Sequence, residues 1–164
     1  MTANWRLASR KKALETRAAT IDAIRSFFRE RQYLEVETPF RIPAPAPESH
    51  IDAIPADGWF LHTSPELCMK RLLAAGYPRI FQLCHCWREG ERGRRHISEF
   101  TMLEWYRAGA EYNSLMDETE ELVKDVVRKV SKRRTMTYEG RRIQLAGEWP
   151  RVTVEDAYQR YSNV

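Results

Sequence analysis

Cys-Trp-Arg-Glu-Gly-Glu-Arg-Gly-Arg-Arg-His-Ile-Ser-Glu-Phe-Thr-Met-Leu-Glu-Trp-Tyr, residues 86–106, is the stretch from which the rest of the chain can be read. Its pattern predicts a strand running into Arg88, a loop carrying Gly90, Arg92, Gly93, Arg94, Arg95 and His96, and a second strand leaving through Glu99-Phe100. Side chains alternate along a strand, so Phe100, Met102, Glu104 and Tyr106 share one face and Glu99, Thr101, Leu103 and Trp105 take the other. Phe100 and Glu104 then stand about 13 Å apart. Leu103 and Trp105 suit a face packed beneath helices. An amphipathic strand with no ligand explains those two, but not Glu104, whose burial on an otherwise apolar face is costly without a cation. The layout has a chemical use. An arginine fixed on a strand can bridge two anions, a mobile basic loop can close over a triphosphate, and an aromatic face can take a purine.

This segment resembles motif 2 of the class II aminoacyl-tRNA synthetases, and Glu-Phe-Thr-Met-Leu-Glu-Trp-Tyr (99–106) is similar to their lysyl branch. The resemblance implies an ATP-dependent ligase that forms an aminoacyl adenylate. It assigns Arg88 to both the amino-acid carboxylate and the α-phosphate, where a permanently charged guanidinium can neutralise two approaching anions. Phe100 would stack on adenine. Arg92, Arg94, Arg95 and His96 would supply charge for the β- and γ-phosphates. The family pattern has a glutamate two residues after the arginine, reading the adenine amino group. Here Gly90 stands there, flanked by Glu89 and Glu91, either of which can serve through a small loop shift.

Glu66, Glu104 and Tyr106 match the lysyl-branch residues that hold the amino groups of lysine. Two carboxylates and a phenol suit a substrate with two ammoniums. Plainer uses exist for each kind of residue: a surface ion pair for Arg88, a stabilising acid in a first helical turn for Glu66. Ser64 precedes Pro65-Glu66 where lysyl-tRNA synthetases tend to have alanine and their compact paralogue has serine. N-capping explains that serine equally well.

Working outward, Leu14, Ala18, Ile21, Ile24, Phe27 and Phe28 recur at helical spacing from Ser9 to Gln32, with Ser9 as N-cap. Tyr33–Thr38 alternates as a strand stopped by Pro39. This helix and strand resemble class II motif 1, the family's dimer element, so a homodimer through residues 9–39 is expected, with Phe27, Phe28 and Val36 as apolar surface. A helix–strand pair serving only the core fits the same pattern. Pro43, Pro45 and Pro47 predict an exposed extended loop over 41–50. Strands follow at Ile51–Ile54 and Trp59–His62, turning at Asp57-Gly58. A helix should run from Pro65 to about Ala75, N-capped by Ser64 and closed by Gly76. Arg79–Trp87 is the next strand. Asn113–Val130 reads as an amphipathic helix, Thr135–Tyr138 and Arg142–Leu145 as a hairpin around Glu139-Gly140, and Thr153–Tyr161 as the start of another helix. The predicted class is α+β, one antiparallel sheet flanked by helices, with residues 1–164 forming one synthetase-like catalytic domain.

Composition agrees with a soluble globular chain: 43% hydrophobic, 30% charged, net charge +4. That mild basicity fits ATP, tRNA or an acidic protein without choosing among them. Lys124 to Arg134 is either a solvated helix end or a nucleic-acid patch. No run is apolar enough to span a bilayer and no signal-peptide core is evident. Three cysteines give no disulfide framework, so a cytoplasmic location is expected. In a strand Cys84 and Cys86 point one way and His85 the other, which argues for packing rather than a metal site.

Fewer than ten residues precede the first predicted helix, so the anticodon-binding barrel of bacterial lysyl-tRNA synthetases is expected to be absent. The resemblance is therefore nearest to the compact lysyl-tRNA synthetase paralogues that ligate (R)-β-lysine to elongation factor P. It implies ATP, lysine or (R)-β-lysine, and elongation factor P as partners, with tRNA the less expected acceptor. Motif 3 is absent from the 164 residues, and the family's Mg2+ ligands lie in the region that would follow it. Residues 1–164 are expected to carry motifs 1 and 2 and to be inactive alone. The alternatives are a fragment of a lysine–tRNA ligase and a non-catalytic dimerisation or regulatory module.

Overall fold

A computed structural model describes residues 4–162. In chain order the elements are α1 (Asn4–Ala8), α2 (Lys11–Glu30), β1 (Leu34–Glu35), β2 (Arg41–Ile42), β3 (Pro55–Ala56), β4 (Trp59–Leu61), α3 (Glu66–Ala74), β5 (Arg79–Trp87), β6 (Glu99–Arg107), α4 (Tyr112–Ser131), β7 (Thr135–Tyr138), β8 (Arg141–Gln144) and α5 (Val154–Tyr161). They fall into two compact units: one of residues 25–112, the other of 1–24 with 113–164.

The unit of residues 25–112 is built on β5 and β6, antiparallel over their full length from Arg79↔Arg107 to Trp87↔Glu99. One face of this pair packs as the sequence predicts. Phe28, near the end of α2, stacks on Phe81 at 4.7 Å and tilts against Trp105 at 5.5 Å, with Phe27 and Tyr33 edge-on to it. Aromatic contacts of this kind add to what area burial supplies. Phe27 and Phe28 are fully buried, so they are core and not the apolar surface expected of them. Within 9–39 the exposed large apolar side chains are instead Leu14 and Leu34.

Two helix ends redirect the chain by the same device. At the end of α2, Gln32 N–H reaches Arg29 O at 3.0 Å and Tyr33 N–H reaches Phe28 O at 3.0 Å, with Gln32 at φ 61°. At the end of α3, Gly76 N–H reaches Leu73 O and Tyr77 N–H reaches Leu72 O, with Gly76 at φ 96°. This paired closure satisfies carbonyls that a helix end leaves open. Glycine meets the positive φ freely at one end; glutamine does not at the other.

Several boundaries differ from expectation. Helix 9–32 is broken at Ser9-Arg10, leaving α1 and α2 separate. The strand over 33–38 shortens to Leu34–Glu35, and only Val36 N–H still bonds the sheet, through Phe81 O at 2.9 Å, before Pro39 ends it. β1 runs parallel to β5, so the sheet β1-β5-β6 is mixed rather than antiparallel. A parallel pair needs a long crossover, and residues 36–78 provide it. Within that crossover Arg41–Ile42 and Pro55–Ala56 flank β4, while 51–54 is not a strand. The turn at Asp57-Gly58 is as expected, with φ 51° and 74°.

In the other unit, β7 and β8 form the predicted hairpin, with Glu139 and Gly140 at positive φ and strand β8 one residue earlier than expected. Thr153 caps α5 by accepting from Asp156 N–H at 3.0 Å. The helical half of the expected basic stretch is occupied: Lys124 pairs with Glu120, and Arg128 and Lys129 both pair with Asp125. Lys132, Arg133 and Arg134 lie beyond the end of α4. No helix among the described residues is long and apolar enough to cross a membrane, and the three cysteines are free.

Candidate ligand site on one face of the central strand pair

Opposite the aromatic core, the second face of β5–β6 carries Gln82, Cys84 and Cys86 beside their register partners Glu104, Met102 and Phe100. Tyr106 follows on the same face. Its far end is acidic. Glu104 accepts two hydroxyl hydrogen bonds, from Ser64 Oγ at 2.7 Å and from Tyr106 Oη at 2.5 Å. Burial, then the bond to Glu104, raises the Tyr106 phenol well above its ordinary value.

Ser64 reaches Glu104 because the start of α3 holds it. The N-cap position falls on Pro65, which makes no side-chain capping bond, and not on Ser64 as expected; Ser64, one residue earlier, accepts Glu66 N–H at Oγ at 3.1 Å. Glu66, in the first turn, binds Lys70 Nζ at 2.5 Å. That bond, followed by the nearby charges of Glu66 and Glu104, raises Lys70. An ammonium thus already stands at this acidic end, on a side chain that sequence reading overlooked although its four-residue spacing from Glu66 was visible.

At the other end Arg88 leaves β5. Its guanidinium carbon sits 5.1 Å above the Phe100 ring, its Nε faces Thr63 O at 3.5 Å, and its Nη1 lies 3.7 Å from Glu91. Of the two glutamates flanking Gly90, Glu91 is the one beside Arg88. Glu89 is exposed and lines a separate groove with Pro47, Asp52 and Phe60. Arg92, Arg94, Arg95 and His96 are exposed along the loop, and among the described residues none of them makes an ion pair.

Between the ends lie groups that sequence reading did not place. Gln82 is buried beside Glu104, and neither of its amide atoms has a hydrogen-bond partner. His62, which follows β4, is buried with Cys84 and Cys86, while His85 turns to the opposite face and binds Glu99 at 2.9 Å. The hydrogen bond from Cys86, against the effect of burial, brings the Cys84 thiol down to about 5, with His62 assisting. The same shared bond and burial raise Cys86. Burial alone would lower His62, but the Cys84 thiol and the His85 carbonyl outweigh it and raise it. The alternation of β5 identified the two cysteines as neighbours. Nothing local in sequence announces that the histidine beside them is His62.

The face thus carries Arg88 and Phe100 at one end and Glu104 and Tyr106 at the other, with Glu66 contributed by the start of α3. The sequence also matches, over residues 2–164, the family described as tRNA synthetases class II (D, K and N). The chain belongs to that family. Among relatives, the elongation factor P–(R)-β-lysine ligase of Vibrio campbellii is 42% identical over 160 residues, which is 92% of this chain and 49% of that protein. The lysine–tRNA ligase of Magnetococcus marinus is 38% identical over 158 residues, 92% of this chain and 31% of that protein. The elongation factor P–(R)-β-lysine ligase of Vibrio cholerae is 42% identical over 157 residues, 90% of this chain and 48% of that protein. The chain thus spans half or less of these curated relatives.

Proposed function

We propose that this chain supplies the motif 2 half of a ligase that activates lysine or (R)-β-lysine as an adenylate and transfers it to a lysine of elongation factor P. The observation that carries the reading is Glu104 held between Ser64 and Tyr106, on the same strand face as Phe100 and Arg88. Arg88 holds the carboxylate and α-phosphate together, and its fixed charge offsets the anions as the carboxylate oxygen bonds to the α-phosphorus and the bond to the β-phosphate breaks, releasing pyrophosphate. Phe100 takes adenine. Glu91 is the better placed of the two candidate carboxylates to read its amino group. Arg95 and His96, with Arg92 and Arg94, meet the outer phosphates. Glu66 and Glu104 hold the two ammoniums of the amino acid, and Lys70 gives way at Glu66 when one of them arrives.

Mg2+ is general to ATP-dependent ligases of this class, but the described residues do not fit it. The group of three metal-capable side chains they bring together is His62, Cys84 and Cys86, and Mg2+ takes oxygen ligands. No step here runs through it. The chain is further proposed to act in the cytoplasm as a homodimer through residues 9–39, with Leu34 and not Phe27 or Phe28 in the contact. Light scattering showing a monomer at high micromolar concentration would remove the dimer.

The decisive assay is ATP–pyrophosphate exchange by the longest natural form containing residues 1–164, with α-lysine and (R)-β-lysine in separate reactions. Exchange favouring (R)-β-lysine supports the protein ligase. Exchange with α-lysine alone, followed by charging of tRNA, supports the second reading, a lysine–tRNA ligase, which the Magnetococcus relative favours. No exchange with either isomer sinks both.

A further inference from the structure

Cys84 and Cys86 project from the same face of β5, and their sulfurs lie 3.8 Å apart. One ring nitrogen of His62 and the two sulfurs lie within 4.8 Å of one another. His62 is 1% exposed, Cys84 6% and Cys86 0%. We propose that His62, Cys84 and Cys86 form a binding site for a thiophilic closed-shell cation, with Zn2+ the ion expected.

Three features of the geometry support this. Tetrahedral zinc with Zn–S bonds of about 2.3 Å places its sulfurs ~3.8 Å apart, the separation seen. Two residues apart on an extended strand, the Cα atoms are separated by about 6.7 Å with parallel side chains. That is the long edge of the range disulfides span, so the spacing suits a shared ligand better than a bridge between the two sulfurs. His62 Nε2 donates to the His85 carbonyl at 2.7 Å, and in the neutral ring this leaves the lone pair on Nδ1. Metal-bound histidines are oriented by this kind of bond from the far nitrogen to a carbonyl.

A fourth soft donor is at hand, since Met102 Sδ lies 3.9 Å from Cys86 Sγ. Thiolate, thioether and imidazole together select zinc or cuprous copper over magnesium or calcium. Phe40 and Trp87 pack against the His62 ring at 5.5 and 5.8 Å, which keeps water from competing on that side. Packing alone would explain three apolar side chains here. It does not explain two thiols and an imidazole buried together with ligand atoms within 4.8 Å of one another. The site needs neither ATP nor lysine and stands whether or not the ligase reading does.

The test titrates the reduced 164-residue chain with Co2+ and then Zn2+, following thiolate-to-cobalt charge-transfer absorption. His62→Gln, Cys86→Ser and His85→Gln are measured beside it. One equivalent of Co2+ should bind, be displaced by Zn2+, and raise the thermal unfolding midpoint of the wild type. Affinity should fall at least ~10-fold in His62→Gln and in Cys86→Ser. It should hold in His85→Gln, whose ring points to Glu99 on the other face. Circular dichroism separates a lost ligand from a lost fold, and the two ligand variants lie on different elements, so either can decide. A folded, reduced chain with no charge-transfer band, or His62→Gln binding as tightly as wild type, overturns the proposal.

Discussion

Replacing Glu104 by glutamine keeps the shape of the acidic end and removes its charge. In the protein as it stands the carboxylate accepts from Ser64 and Tyr106. Glutamine still accepts one of these bonds, and the other hydroxyl can rotate to accept from the new amide, so the fold should lose no more than about 1 kcal/mol. The ligand loses more. A hydrogen bond from an ammonium to a carboxylate contributes roughly 1.5–3 kcal/mol, against about 1 for a neutral pair. Glu104 is half-buried, so the ~3–5 kcal/mol of a fully buried broken pair is too large here. Amino-acid affinity should therefore fall by the difference, about 0.5–2 kcal/mol, which is roughly 2- to 30-fold. ATP meets Arg88 and Phe100, some 13 Å away along the strand, and its affinity should change by less than about threefold. Calorimetry on the longest natural form, titrating (R)-β-lysine and ATP separately into wild type and variant, reads both numbers. Equal losses for the two ligands would make Glu104 a structural residue and refute the reasoning.

Arg88→Ala should slow adenylate formation by about 100-fold or more, the scale of losing a transition-state charge partner, and pyrophosphate exchange unchanged by it would take Arg88 out of the mechanism. Glu120 is held below its ordinary 4.5 chiefly by the Lys124 hydrogen bond, against burial, with the Trp149 amide and Arg151 adding. A lowered carboxylate stabilises the fold above its unfolded value and loses that contribution as pH falls through the folded one. Thermal midpoints should thus drop below pH ~4.5 in the wild type and drop less in Glu120→Gln. At the two helix ends the substitutions should have opposite signs: Gly76→Ala should destabilise by about 1 kcal/mol and Gln32→Gly should stabilise by up to about as much, measured by urea unfolding. No space is contested at Gly76, so a loss there can only come from its φ of 96°.

What could be read from the sequence was whatever a few neighbouring residues decide. Strand alternation set the two faces of 99–106, and the structure has Trp105 on the aromatic core and Glu104 on the opposite face. Ser64-Pro65-Glu66 and Gly76 gave the ends of α3 to within a residue because caps are local chemistry. The parallel pairing of β1 was invisible, since it is fixed by a crossover of some forty residues and not by the strand's own pattern. Phe27 and Phe28 show the limit most plainly. Their spacing says that one side of α2 is apolar, and only the arrival of Phe81 and Trp105 says that the side is covered within the chain.

The same limit governs the site, and it bears on why Glu104 points to a ligand. From sequence, its need for a cation was an inference from an apolar face. The structure gives it partners, but the two that bond it directly are neutral hydroxyls. Hydroxyls satisfy a carboxylate's lone pairs without cancelling its charge. An arginine or lysine bonded directly to it would have closed the account as a structural ion pair. Instead the ammonium of Lys70 is bonded one carboxylate away, at Glu66, on an exposed side chain that can swing into solvent. Two carboxylates thus share one mobile internal cation. That arrangement leaves room for the positive charge of a diamino acid, and it is the reason the Glu104→Gln titration discriminates between a structural and a binding role.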